Sequence, residues 1–235
     1  VGSSIRTASA IAAANYSGYF TYAARGPVIT SFTPTSVCPN VAATITITGT
    51  NLGSATEVTL NGEPCTIVSN TATQIVITTD ASPQAGNIVV TTAANSATSP
   101  SALSLLSLPP ATATAASSTT FCQGGSVVIN ANTGTGLTYQ WRNSSGNISG
   151  ATASSYTTSV GDAFRIIVTN SDGCRDTSVA VNVTVNSLPI ATATAGGATT
   201  FCQGGNVIIN ANTGTGLTYQ WRNAAGNISG ATNAN

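Results

Sequence analysis

Residues 44–50 read TITITGT, a strict alternation of threonine and isoleucine that closes on a glycine. In an extended chain successive side chains point to opposite faces, so this run has one apolar face and one hydroxylated face. Working outward, other short strand-sized runs recur: ITSF from Ile29, EVTLNG from Glu57, CTIVS from Cys65, QIVITTD from Gln74 and NIVVTT from Asn87. They continue with VVINAN from Val127, LTYQWRN from Leu137, FRIIVTN from Phe164 and VAVNVTV from Val179. Gly, Asn and Pro punctuate them, and nothing after residue 26 keeps a helical period over ten residues. Short alternating strands between turn residues predict an all-β chain of antiparallel β-sandwiches. The expected buried centres are Ile47, Val58 and Ile77 in a first sandwich, and Val128, Trp141 and Ile167 in a second.

Composition removes several classes of function. The sequence contains no His and no Lys, and its six Arg balance six acidic residues. Nucleic-acid binding needs clustered Lys and Arg to neutralise phosphates, and anionic membranes need a polybasic patch. Neither is present. The hydrophobic fraction of 41% is enough for packed cores although only 5% of residues are charged. No apolar run approaches the roughly 18 residues that span a bilayer. The chain opens at Val1 without a signal peptide, which reads as a mature or excised fragment. Its five cysteines, Cys38, Cys65, Cys122, Cys174 and Cys202, show no CxxC spacing and have no His beside them. They predict disulfides rather than a metal site, and hence an oxidising, extracellular location.

One long repeat organises the second half. SLPPATATAASSTTFCQGG from Ser107 returns as SLPIATATAGGATTFCQGG from Ser187, with Cys122 answering Cys202 and Trp141 answering Trp221 at a spacing of 80 residues. The second copy reaches Asn235, before any counterpart of Cys174, so it reads as a half-repeat completed by a longer parent or by another chain. Four segments follow: a tail at 1–26, a first domain at 27–106, a full repeat at 107–186 and a truncated repeat at 187–235. Tyr16, Tyr19, Phe20 and Tyr22 in the tail are candidates for a strand inserted into an incomplete neighbour.

Residues 27–106 resemble an IPT/TIG domain through Pro27-Val28-Ile29, Phe32-Thr33-Pro34, the run Ile45-Thr46-Ile47-Thr48-Gly49-Thr50-Asn51-Leu52 and Val58-Thr59-Leu60-Asn61-Gly62. Cys38-Pro39-Asn40 stands where that family has a Gly-rich stretch. Residues 107–186 resemble the immunoglobulin-like repeats of large Bacteroidota surface adhesins, often exported by type IX secretion. That likeness rests on Phe121-Cys122-Gln123-Gly124-Gly125-Ser126-Val127, Tyr139-Gln140-Trp141, Gly161-Asp162-Ala163-Phe164 and Asn170-Ser171-Asp172-Gly173-Cys174. The resemblances imply tandem immunoglobulin-like antiparallel β-sandwiches in which Trp141 and Trp221 fill cores. They also put Phe164 at the tyrosine-corner position without its hydroxyl. Ala131 and Ile166 fall where the usual central disulfide would be.

Two cysteine pairings are open under the strand order these families imply. Pairing by proximity joins Cys38 to Cys65 and Cys122 to Cys174, leaving Cys202 alone. The alternative joins Cys174, in the last hairpin turn of its domain, back to Cys38, and leaves Cys122 for the hairpin of a next repeat. Under that implied order Cys38 and Cys65 both precede strands that start at one end of the sandwich, which supports the first pairing. Reach weighs against Cys122–Cys174, because a seven-residue strand of about 23 Å separates their ends, whereas bonded cysteines need Cα atoms within about 7 Å.

No catalytic constellation is legible. The acids Glu57, Glu63, Asp80, Asp162, Asp172 and Asp176 are scattered, and a Ser nucleophile has no His or Lys as base. Asp172 and Asp176 bracket SDGCRD, whose turn chemistry favours a plain Asp-Gly hairpin over a calcium or sugar contact. TGTG at 133–136 and 213–216 leads into a strand, not a helix N-terminus, and so lacks the basis for phosphate binding. Together with the tandem copies, the resemblances imply a non-enzymatic, cofactor-free structural or adhesive module, a rigid spacer and assembly unit of a cell-surface protein or filament. Its expected partners are further repeats or copies of itself, with a glycan or surface ligand as a further candidate. A secreted carbohydrate-binding module is the competing reading.

Overall fold

The computed structural model describes residues 25–235 and places them in two compact units. Residues 25–109 together with the turn Asn170–Cys174 form the first, and Pro110–Thr169 with Arg175–Asn235 the second. All regular structure among the described residues is strand. The aromatic tail candidates Tyr16, Tyr19, Phe20 and Tyr22 lie outside the described residues.

The first unit runs through β1 (Val28–Thr33), β2 (Ser36–Val37), β3 (Thr44–Thr50), β4 (Ala55–Leu60) and β5 (Glu63–Pro64). It continues with β6 (Thr66–Asn70), β7 (Gln74–Thr78), β8 (Ile88–Thr92), β9 (Ser96–Thr98) and β10 (Ser104–Leu105). One antiparallel sheet has the order β1-β3-β7-β6, the other β5-β4-β8-β9. The threonine–isoleucine alternation explains the layering: Thr44 and Thr48 are exposed, while Ile45 and Ile47 face Ile75, Ile77, Val58, Ile88 and Val90 in one fully buried core. A Cβ on Gly49 would collide with the Val28 carbonyl oxygen, so only glycine lets β1 approach β3 there. Asn51 then turns the chain at φ 57° and donates from its side chain to the Gly26 carbonyl.

The second unit runs through β11 (Ala113–Ala115), β12 (Thr120–Cys122), β13 (Val127–Ala131), β14 (Thr138–Asn143) and β15 (Gly146–Asn147). Then come β16 (Ser155–Thr158), β17 (Ala163–Thr169), β18 (Arg175–Thr177), β19 (Val181–Asn182) and β20 (Thr184–Asn186). Its sheets are β11-β13-β16 and β15-β14-β17-β18, with β19 also on β17. Trp141 sits between them with no exposed surface, opposite Ile166 in the β14–β17 register. Its indole N–H donates to the Ala153 carbonyl at 2.9 Å. Its ring stacks on Tyr156 at 5.9 Å, and Tyr156 packs on Phe164 at 5.6 Å. Phe164 thus serves the core as a ring and needs no hydroxyl.

Two expected core positions are corrected. Val128 is 37% exposed and Ile167 only half-buried, while Val127, Ile129, Ile166 and Val168 are buried. The reason is the strict period of two: Ile166 faces Trp141, so Ile167 must face away. Runs such as VVI and IIV are apolar on both faces and conceal the phase. Ile166→Val should therefore cost about 0.5–1.5 kcal/mol in urea unfolding. Ile167→Val should stay within about 0.5 kcal/mol. Equal losses would mean the register is wrong.

Both units also contain a parallel pair that the alternation did not predict. β2 lies along β10, and β12 along β20. The second repeat copy contributes only β21 (Ala193–Ala195) paired with β22 (Ile209–Ala211), and β23 (Arg222–Asn223) paired with β24 (Gly226–Asn227).

Candidate functional site

The most constructed local feature is the turn Asn170-Ser171-Asp172-Gly173-Cys174. Asn170 braces it: its side-chain oxygen accepts from the backbone N–H groups of Asp172 and Cys174 at 3.2 and 3.0 Å. Its own N–H donates to the Cys174 carbonyl, and Gly173 N–H donates to the Asn170 carbonyl. Gly173 takes φ 82°, a conformation that favours glycine. The turn is then held at two points within the first unit. The Asn170 side-chain amide donates to the Ser107 carbonyl at 2.9 Å. Cys174, fully buried, is bonded to Cys38 just after β2, with S–S 2.02 Å and Cα atoms 5.4 Å apart.

The proximity pairing is not what the structure contains: Cys65, Cys122 and Cys202 are free thiols. Cys65 adjoins Thr66, and Thr66 and Thr44 lie on opposite sides of Thr78 in the β6-β7-β3 order. Cys38 follows β2 rather than opening β3, and its sulfur is bonded to Cys174 instead. Burial pushes the Cys65 thiol up, with a smaller contribution from the charge of Asp80 and a partial offset from the Leu60 backbone. Cys122 and Cys202 are exposed. Reading the sequence missed Asn170 and Ser107; the signal was the Asn that opens N-S-D-G-C, a residue type that braces turns.

Trp221 departs from its expected core role. It is only partly buried and, with Leu217 and Tyr219, lines an open cleft of about 470 Å³ between residues 189 and 222. Its indole still donates to the Asn233 carbonyl at 2.8 Å. Residues 187–235 form the strands β21 to β24, whereas Trp141 is flanked by β17 in its own sheet and stacked on Tyr156 of β16.

Among the described residues no group of three or more His, Cys, Asp or Glu could hold a metal ion. Asp172 lies in the braced turn, and Asp176 on β18 accepts from Thr177 N–H. The TGTG segment at 133–136 joins β13 to β14. Asp162 caps the start of β17: its carboxylate accepts from Ala163 N–H at 2.6 Å and from the Ser144 hydroxyl at 3.0 Å. These bonds, the one from Ala163 first, hold it below the ordinary aspartate value of 3.8. A depressed carboxylate stabilises the fold above its unfolded value, and the contribution vanishes as pH falls through its folded value. Asp162→Asn should therefore lower the urea midpoint at neutral pH, with the gap to wild type closing as pH falls through and below 3.8. A gap that widens on acidification would rule the cap out.

The fold and the crosslink define an all-β, immunoglobulin-like protein with a disulfide. Residues 27–106 match the family model of the IPT/TIG domain. No curated protein matches the chain. Among solved structures it is similar to the extracellular region of plexin A4, at 24% identity over 34% of this chain and 10% of that one, with TM-score 0.30. It is also similar to the surface glycan-binding protein PbSGBP-B from Prevotella bryantii, at 14% identity over 67% and 41% of the two chains, with TM-score 0.29. The I9–I11 tandem of titin shows 13% identity over 69% and 66%, with TM-score 0.31. The chain thus spans about a tenth of the plexin region it matches.

Proposed function

We propose that this chain is an extracellular structural and adhesive repeat module of a cell-surface protein or filament, acting as a rigid spacer and assembly unit. The proposed modules are an IPT/TIG-like domain at 27–106, an immunoglobulin-like repeat at 107–186 and a partial repeat at 187–235. The Cys38–Cys174 bond carries the reading. It joins positions 136 residues apart, so a pull on the two chain ends bypasses everything between them. Near-identical copies 80 residues apart support it, because a spacer gains from length rather than from any individual site. An oxidised cysteine pair fits an extracellular setting.

Single-molecule stretching tests it. A segment of 136 residues contributes at most about 450–490 Å when extended. The oxidised chain should reach a final length shorter by that amount than the reduced chain. Equal lengths would remove the mechanical reading. The glycan-binding alternative draws on one observation, the cleft beside Tyr219 and Trp221. Against it, the equivalent Trp141 is wholly buried in the complete copy. A glycan array on which binding is saturable and lost in Trp221→Ala would favour that alternative.

A further inference from the structure

The two units share one strand plan, and their parallel pairs can be aligned bond by bond. In the first, Ser104 N–H donates to the Thr35 carbonyl, Ser36 lies opposite Ser104, and Val37 opposite Leu105. In the second, Thr184 N–H donates to the Thr119 carbonyl, Thr120 lies opposite Thr184, and Phe121 opposite Val185. A second anchor agrees. Ile88 on β8 and Ile166 on β17 each donate a backbone N–H to a buried serine hydroxyl, Ser99 and Ser178. The alignment places Cys122 on Cys38. It also places Ser187-Leu188-Pro189 on the identical Ser107-Leu108-Pro109.

Both groups that receive the Asn170–Cys174 turn are therefore reproduced 80 or more residues further along: a cysteine after the parallel strand, and a serine carbonyl after the last one. In the first unit these are occupied by the Cys174 bond and the Asn170 amide. In the second, Cys122 is an exposed free thiol. We infer that Cys122 is the acceptor for a disulfide from the hairpin-turn cysteine of a following repeat of this kind, with the Ser187 carbonyl receiving that turn's asparagine. Cys202, equivalent to Cys122 by the repeat, holds the same position one module on. The inference rests on the spacer reading and names its partner, a turn of sequence Asn-Ser-Asp-Gly-Cys.

The chemistry balances as an ordinary oxidation. Two thiols lose their hydrogens and form one S–S bond. The two electrons and two protons pass to a disulfide oxidant, oxidised glutathione or a disulfide oxidoreductase, which leaves as two thiols. Cys65 is a poor competitor because it is half-buried and its thiol is held protonated by burial.

Two measurements decide it. In the full chain under native conditions, Cys122 should alkylate at a rate within a few-fold of Cys202 and more than tenfold faster than Cys65. A Cys122 already bonded to Cys65, to Cys202 or to a second chain, or as unreactive as Cys65, overturns the inference whatever else is found. Second, a copy of residues 156–186 is appended after Asn235, which aligns with Ser155, and the chain is oxidised in a glutathione buffer. Non-reducing peptide mapping should find Cys122 linked to the appended copy of Cys174, with Cys38–Cys174 intact. In the same chain carrying Cys122→Ser, the appended cysteine should stay alkylatable. An appended cysteine that links to Cys202, or spreads over several partners, overturns the inference. The length difference on stretching the original chain is untouched by that outcome, so the spacer reading stands or falls separately.

Discussion

Cys38→Ser should lower the free energy of unfolding by about 2–5 kcal/mol, the loss typical of removing a native disulfide. The closed loop is long, with partners 136 residues apart. Chain entropy assigns about 4.7 kcal/mol to a 100-residue loop and rises only logarithmically beyond it, so the upper part of the range is expected. Cys174 would then be a buried thiol, which packs as a small hydrophobe and adds little further loss. Cys174→Ser should lose a similar amount, and the double variant hardly more than either alone, because both remove one bond. The Asn170–Ser107 hydrogen bond would remain, worth about 1 kcal/mol. Urea unfolding of the oxidised wild type, the variants and the reduced wild type provides the measurement. A loss below about 1 kcal/mol in both single variants would show that the crosslink does not hold the turn.

The sequence went furthest where one face of a strand is polar. TITITGT declares its buried side because threonine and isoleucine differ, and Ile47, Val58 and Ile77 are all fully buried. It was silent where both faces are apolar. VVI at 127–129 and IIV at 166–168 satisfy either phase, and only the cross-strand register of Trp141 with Ile166 fixes it. The mapping of Ala131 and Ile166 to the central positions between the sheets already contained that phase, since residues two apart share a face. Val128 and Ile167 are out of phase with that pair and face away from the core.

The cysteines show a different limit. That Cys174 could reach Cys38 rested on strand order, which spacing alone does not encode. The bracing Asn170, the receiving Ser107 carbonyl and the parallel pairs β2–β10 and β12–β20 are all backbone relations between distant segments. Backbone atoms carry no sequence signature, and parallel pairing leaves no alternation different from the antiparallel kind. The side chains that mark the site, Cys38, Cys122 and Cys174, were legible; the carbonyl that completes it was not.

Trp141→Ala should cost about 3–5 kcal/mol, the range for truncating a large buried aromatic, while Trp221→Ala should cost about 1 kcal/mol or less. The same residue in the same local sequence, LTYQWRN, allows a controlled comparison. Trp141 loses a fully enclosed site: its stack with Tyr156, its position opposite Ile166 and its bond to Ala153. Trp221 keeps the analogous bond to Asn233 but faces an open cleft. Its neighbours tell the same story, since Ile209 is 45% exposed where the equivalent Ile129 is fully buried. Cavity terms arise only where surrounding atoms are already packed, so truncation at Trp221 removes little that water had not reached. Adding residues 156–186 after Asn235 should convert the second site into the first. In that extended chain Trp221→Ala should rise to the cost of Trp141→Ala, and Trp221 emission should shift to the blue as its ring leaves water. Equal costs in the unextended chain would show that residues 187–235 already possess a closed core and need no completing strands.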